Sequence, residues 1–400
     1  MHVNISHRHL SLLSKRIELR KLFTTYGLVS IALSFVGAFG PIYLFRSGYT
    51  IRDLLIYFLL IALVKIVVLP FVFKAMHSIG SNRMMSIGIA FFILNFVLFA
   101  TLSQGWPLWL LAFTKAIGNA CYYGAYRVNF AIAHSQENTG KQAAFAQSMV
   151  LTLGIFAPVA GGLFSFFWSI SAVYLVAIVL FIFAGAVIWN APQQIVKKIN
   201  FKNIPKGSAL KDYGSNFSYS FSGLSDLFVW PILISLIIPS YIGIGAVGTI
   251  FAILSIVVTM YVGSRIDNRK NKHAFLGYGV GFNVMYGIGR LFATTTPHLI
   301  GLGFLSALGG SMTAVSYDKR YYTNAGRTHW LEYLFAQEIA NAVPWLLYFP
   351  VLIIASLYLD TTQLLYAGVL ITIPFIFGTL FMGKEHTSDT VQIAAKRTEL

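Results

Sequence analysis

The chain has 400 residues, 57% of them hydrophobic and only 10% charged, far below the roughly one-quarter charged share of a soluble domain. A single cysteine, Cys121, excludes an internal disulfide framework and a cysteine-rich metal site. The apolar residues fall in long runs, and about 20 apolar residues cross a hydrocarbon core about 30 Å thick. The chain therefore reads as an all-α, polytopic membrane protein.

The first residues are polar and basic, and the apolar run behind them is too long for a cleaved signal peptide, so a true span is expected there. Twelve spans are predicted, near 22–46, 52–74, 84–103, 107–127, 144–167, 169–190, 217–238, 241–262, 274–294, 298–317, 332–357 and 361–383. Most breaks between them are short. The stretch 191–216, APQQIVKKINFKNIPKGSALKDYGSN, is polar and lysine-rich and carries two prolines. It is expected to link a first half (1–190) to a second (217–383), with a tail at 384–400. The lysines from Lys197 to Lys211 either lie against anionic lipid or belong to a solvated linker.

A net charge of +16 raises the question of nucleic acid, but the placement of the charges answers it. Arg8, Lys15, Arg16, Arg20 and Lys21 precede the first span. Lys74, Arg83, Arg127, Lys141, the linker lysines, Arg265, Arg269, Lys270, Lys272, Lys319, Arg320 and Arg327 fall in alternate breaks, and the other breaks hold only Arg46 and Arg52. This asymmetry is the positive-inside pattern; it predicts both termini in the cytoplasm and a lipid bilayer, not nucleic acid, as partner. The expected location is the plasma (cytoplasmic or inner) membrane.

The fifth predicted span contains GIFAPVAGG, Gly154 to Gly162. Helices in lipid associate through close backbone packing of small residues. Gly154, Gly161 and Gly162 lie at helical spacing, and Pro158 frees a carbonyl and permits a kink. Such a span suits a seam between moving parts, or an ordinary small-residue packing face. An internal repeat accompanies it. Ala116-Ile-Gly118 precedes Tyr126-Arg127 as Ala307-Leu-Gly309 precedes Tyr317-Asp318, and Gly140-Lys141 precedes Pro158 as Gly326-Arg327 precedes Pro344. The offset is about 190 residues, which implies two parallel six-span halves with a substrate site where they meet.

These motifs resemble the major facilitator superfamily over the whole chain. The loop after span eight, Gly263-Ser-Arg-Ile-Asp267-Asn-Arg269-Lys, is similar to the family's glycine, acid and basic residues. The matching loop after span two keeps Gly80 and Arg83 but has Phe73 and His77 where the family has glycine and aspartate. GIFAPVAGG resembles the fifth-span motif of the family's antiporters, with Ala157 where a glycine is usual. In span four, Lys115 and Gly118-Asn119 stand where many exporters place an arginine and a glutamine-glycine pair. The resemblance implies two pseudo-symmetric six-helix bundles, a cavity lined by spans one, four, seven and ten and flanked by two, five, eight and eleven, and a cytoplasmic gate in which Asp267 ties the halves together. It also implies a chain that works as a monomer.

Ionisable groups inside spans are costly and mark pathways or internal pairs. They are Lys65, Lys115, Asp226, Arg290 and Glu338. Under the family arrangement Lys65 and Lys115 face the cavity from one half, and Asp226 and Glu338 from the other. They act as proton and substrate groups or, alternatively, as structural pairs between the halves. The two lysines favour an anionic or zwitterionic substrate. Arg290, near a span end, reads as a snorkelling residue. Tyr122, Tyr123 and Tyr126, with Trp230 and Trp345, could line the cavity. The nine histidines fall in loops, tails or span ends, and no metal or phosphate-binding motif is present, so no cofactor is expected and the energy source is the proton gradient. The expected function is proton-coupled export (antiport) of a small organic compound by alternating access. Uptake of a metabolite such as a sugar or organic anion is the alternative, and an intramembrane lipid-modifying enzyme using Asp226 and Glu338 is the rival class.

Overall fold

A computed structural model describes residues 3–37, 39–133, 154–194, 196–265, 272–325 and 329–381. The α-helices are α1 (Val3–Val36), α2 (Phe39–Arg46), α3 (Ile51–Ile79), α4 (Ser81–Ala100), α5 (Leu108–Ala133), α6 (Ala157–Phe167), α7 (Ile170–Trp189), α8 (Ala209–Leu227), α9 (Val229–Ile237), α10 (Tyr241–Arg265), α11 (Lys272–Gly289), α12 (Thr296–Ala325), α13 (Trp330–Ala355) and α14 (Thr361–Gly378). Nine helical stretches among the described residues are long and apolar enough to cross a membrane. Phe71, Phe183 and Val257 lie exposed on the outer surface. A bilayer is the solvent in which such a surface is stable.

Among the described residues, fourteen helices account for twelve spans because the first span of each half is broken. The breaks follow Val36 and Leu227, and prolines lie at Pro41 and Pro231. A proline ring clashes with the carbonyl four residues earlier, which here is that of Gly37 or Leu227. Gly37 takes φ +49, a conformation costly for any side chain but glycine. The 190-residue repeat thus reappears as a matched pair of broken helices, α1/α2 and α8/α9.

Close crossings within each half repeat it again. A Cβ on Gly88 of α4 would meet the backbone nitrogen of Tyr122 on α5, and one on Gly279 of α11 would meet that of Thr313 on α12. Between the halves, α3 packs on α13 and α6 on α10. Phe58 stacks on Phe349 with centroids 5.3 Å apart, and Phe73 meets Phe335 edge-on at 5.4 Å.

The seventh span begins at Ala209, eight residues before the predicted start, so the extended link is shorter than 191–216. Its first turns hold Asp212, Ser215 and Asn216, all buried. Asp212 accepts from Asn324 Nδ2 and the Tyr333 hydroxyl, and Asn216 Nδ2 donates to the Gln337 carbonyl. Hydropathy assigned these residues to a loop because it weighs composition, whereas partners on α12 and α13 and, for Ser215 Oγ, the Thr379 carbonyl just past α14 satisfy them inside the bundle.

The link itself is docked, neither a free solvated segment nor a strip lying only on lipid. At the α3–α4 junction, Ser81 N donates to the Gln194 carbonyl and Asn82 Nδ2 to that of Pro192. His77 Nδ1 lies 2.8 Å from the Val196 carbonyl. Beyond it, Asn200 N donates to Glu332 Oε1 at the start of α13, and Lys197 Nζ lies 3.6 Å from Glu332 Oε2. The link therefore straps one half to the other at the basic end of the bundle.

Candidate functional site

A cavity of about 600 Å³ lies between the halves, lined by residues of α1–α5, α7, the α8/α9 break and α13. Both broken helices open into it through Gly37, Pro41, Leu227 and Pro231. Broken backbone at membrane depth is tolerated where it lines a cavity. One end of the cavity is aromatic, with Tyr57, Phe96, Phe99 and Tyr174; the other is charged.

Glu338 of α13 anchors the charged end. Its side chain is 1% exposed, and its oxygens lie 3.2 Å from Lys65 Nζ on α3 and 2.8 Å from Arg127 Nε on α5. Arg127 Nη1 also donates to the Tyr321 hydroxyl of α12 at 3.0 Å, and Lys65 Nζ to Asn341 Oδ1 at 3.4 Å. A carboxylate of the second half is thus held between two cations of the first. A buried ion pair contributes little net stability, but removing one partner leaves an uncompensated charge. That asymmetry makes the triad sensitive to the charge state of Glu338.

Arg127, assigned by its position to a loop of the basic face, lies inside α5 and is the residue that sequence reasoning missed at this site. The signal was present: Lys115, Asn119, Tyr123 and Arg127 recur every four residues, and all four line the cavity. They form a polar ladder on one face of α5, with rungs about 6 Å apart.

Arg290 is a second correction. It does not snorkel: it is 2% exposed, and its Nη1 lies 2.6 Å from Asp226 Oδ1, with the Tyr286 hydroxyl 3.2 Å from the same oxygen. Asp226 therefore pairs within its own half, not with Lys115. Its side chain is about half exposed to the cavity and to a smaller neighbouring cavity of about 350 Å³. Lys115 has no carboxylate partner among the described residues; its Nζ rests 5.0 Å from the centre of the Phe92 ring and 5.7 Å from that of Phe96.

Of the aromatic candidates, Tyr123 and Trp345 line the cavity. Tyr122 is wholly buried against Phe92 and Tyr123, and Tyr126 stacks on Tyr26 at 4.3 Å. Trp230 meets Tyr286 and Arg290 instead. These three residues are packing.

In the GIFAPVAGG stretch of span five, Pro158 stands in the first turn of α6, where its missing N–H costs nothing. A Cβ on Gly154 would meet Ser34 Oγ at 2.9 Å, and one on Gly161 would strike the Phe35 carbonyl, so both glycines face α1 of their own half. Gly162 faces the other half: its Cβ would come 2.7 Å from the Tyr241 carbonyl oxygen and 3.0 Å from Ile242 Cα of α10. Gly245 reciprocates against the Pro158 carbonyl. Gly80, with φ +83, turns the chain between α3 and α4, and the exposed Arg83 donates its backbone N–H to Gln193 Oε1. Gly263 lies in the last turns of α10, and Asp267 and Arg269 fall outside the described residues.

Solved structures with this arrangement cover nearly the whole chain. The human organic anion transporter MFSD10 (TETRAN) superposes with a TM-score of 0.66 at 12% identity, with 92% of this chain and 99% of that chain covered. The E. coli fucose:proton symporter FucP gives 0.65 at 14%, with 93% and 100% covered. A bacterial homologue of the iron transporter ferroportin, in its outward-facing state, gives 0.62 at 14%, with 92% and 98% covered. The chain has the major facilitator fold. No protein-family model and no curated protein matches its sequence. Within the major facilitator fold, the Lys65–Glu338–Arg127 triad spans the interface of the two six-helix bundles, and the Asp226–Arg290 pair belongs to the second bundle alone.

Proposed function

We propose that the protein is a secondary transporter that moves a small organic solute across a membrane by alternating access, with Glu338 as the proton carrier. The observation that carries this reading is the triad: a carboxylate of one bundle held between cations of the other, at the wall of a cavity large enough for a small molecule. Ligand sites commonly measure about 300–1,000 Å³. Protonation of Glu338 removes its attraction to Lys65 and Arg127 and frees the bundles to rock; loss of the proton draws them together again. Arg290 Nη1 holds the Asp226 carboxylate at 2.6 Å, which gives Asp226 a supporting part in the cavity wall rather than the coupling step.

Export is the favoured direction, supported by the antiporter-like fifth span and the seat of its Gly162 against α10. The solved neighbours are named for an organic anion, a sugar with a proton, and iron, so the shared fold leaves the solute to be read from the cavity. An intramembrane acid–base enzyme gains no support from the geometry, because each carboxylate is held by a cation: Arg290 on Asp226, Lys65 and Arg127 on Glu338.

The test is solute and proton flux in liposomes holding the purified full chain, under an imposed pH gradient. Wild type should concentrate a solute uphill and move protons with it, and Glu338→Gln should retain only downhill exchange. Uphill transport at the wild-type rate in Glu338→Gln removes Glu338 as the carrier.

A further inference from the structure

Resting on the transporter reading, we infer that the solute is an amphipathic organic anion, and that Lys115 with Asn119 forms the subsite for its charged head.

Charge is the first observation. The cavity wall carries Lys65, Lys115 and Arg127 against Asp226 and Glu338. Arg290, behind the wall, compensates Asp226; Glu338, together with Asp318 of α12, which interacts with Arg127, compensates Lys65 and Arg127, so Lys115 is the excess charge. The wall is left with positive charge in excess. Ions in such surroundings are expensive without a partner, and a site lined by one sign of charge concentrates solutes of the other.

Geometry singles out Lys115. Lys65 and Arg127 are both engaged by Glu338, whereas among the described residues Lys115 meets the faces of Phe92 and Phe96 and no carboxylate. A cation over two rings is positioned but keeps ammonium protons for an incoming oxygen. Asn119 stands one helical turn further along the same face of α5 and also lines the cavity. In the same corner Asn95 is 1% exposed. Its Nδ2 donates to the Leu111 carbonyl and to Thr114 Oγ1, and its Oδ1 has no hydrogen-bond partner among the described residues. That Oδ1 is an acceptor, open to a hydroxyl or N–H of the solute rather than to its anionic oxygens.

The remaining wall defines the body of the solute. Tyr57, Phe58, Ile61, Phe96, Phe99 and Tyr174 surround the space beside Lys115, and Tyr174 stacks on Phe99 at 5.1 Å. Apolar surface packs there only if the solute carries some. Lys115 and Arg127 are twelve positions apart on α5, about 18 Å along its axis. The anionic head and the Glu338 proton therefore occupy different places and can be held together.

The experiment measures thermal stability of the purified full chain in detergent with three sets of organic anions: aryl carboxylates, aryl sulfonates and aryl phosphate monoesters. Each acid is matched by its neutral amide or alcohol and by an aryl-methylammonium cation. A ligand that binds the folded form raises its apparent stability. At least one anion should bind, and its neutral partner should bind about 10- to 100-fold more weakly, the range for losing a hydrogen bond to a charged group. Lys115→Met should abolish that preference, and Lys115→Arg should keep it. Both variants should fold, as methionine is apolar in an apolar bundle and arginine retains the charge, and the melting temperature without added anion checks it. A best ligand that is neutral or cationic, no binding by any acid of the three sets, or unchanged anion affinity in Lys115→Met each overturns the subsite. Distances between spin labels on the two bundles, followed as pH is changed without any solute, test alternating access separately. Movement without anion binding sinks the subsite alone, and no movement sinks the transporter reading.

Discussion

Replacing Gly162 with alanine should shift the balance between the two arrangements of the bundles. In the structure a Cβ at this position lies 2.7 Å from the Tyr241 carbonyl oxygen and 3.0 Å from Ile242 Cα. Both are backbone atoms of α10, which cannot rotate away as a side chain would. Ordinary contact begins near 3.4 Å, so α6 must withdraw from α10 by about 0.7 Å. Overpacking of this kind costs about 1–3 kcal/mol. That cost falls only on the arrangement in which α6 and α10 touch, while the helix-propensity gain of alanine, up to about 1 kcal/mol, is present in both and cancels. The population should therefore move by about 5- to 150-fold toward the form in which this end is open. Spin labels on Ser103→Cys and Thr361→Cys report it, since both positions are exposed at that end of the bundle, one in each half, and Cys121 is buried. Gly245→Ala should act in the same sense, because its Cβ would strike the Pro158 carbonyl. Gly161→Ala should not, as its obstacle is Phe35 of its own half; it should lower thermal stability and leave the distances alone. A wild-type distance distribution in Gly162→Ala, at wild-type stability, would refute the reasoning.

The Asp226–Arg290 pair should show a coupling energy of about 1–2 kcal/mol in a double-mutant cycle of Asp226→Asn and Arg290→Met, with the double variant more stable than Arg290's loss of its partner alone predicts. Additive chemical denaturation values would show that the 2.6 Å contact carries no energy. Glu332→Gln should weaken the strap between the halves, as it removes the charge that faces Lys197 Nζ and accepts from Asn200 N. Amide exchange in residues 196–203 should then quicken several-fold, and unchanged exchange would mean that the strap is held by other contacts. Pro231→Ala should supply an N–H able to reach the Leu227 carbonyl across the α8/α9 break, raising thermal stability while slowing transport; equal turnover in liposomes would show that the break has no mechanical part.

Composition, charge placement and the 190-residue offset were enough to determine a polytopic helical chain in two related halves. Each of these signals is local or periodic: a span needs only its own apolar length, and a repeat only its own copy. The broken first spans were equally legible in principle, since Pro41 and Pro231 act on carbonyls four residues away in the same chain. The ion pairs were legible only in part: Lys65–Glu338 is one of the pairs between the halves that the sequence offered, but the parts of Arg127 and Arg290 were not. Arg127 and Arg290 both lie near span ends, where hydropathy assigns a loop cation and a snorkelling residue, yet each is paired with a carboxylate on another helix. Asp212, Ser215 and Asn216 were misassigned for the same reason: a polar residue is cheap inside a bundle once a distant helix supplies its hydrogen bonds. Hydropathy reports how much of a helix is apolar, but the direction a residue faces and the helix it meets are set by packing. That packing turned Gly162 toward the other half and Gly161 toward its own, although the two are neighbours in the chain.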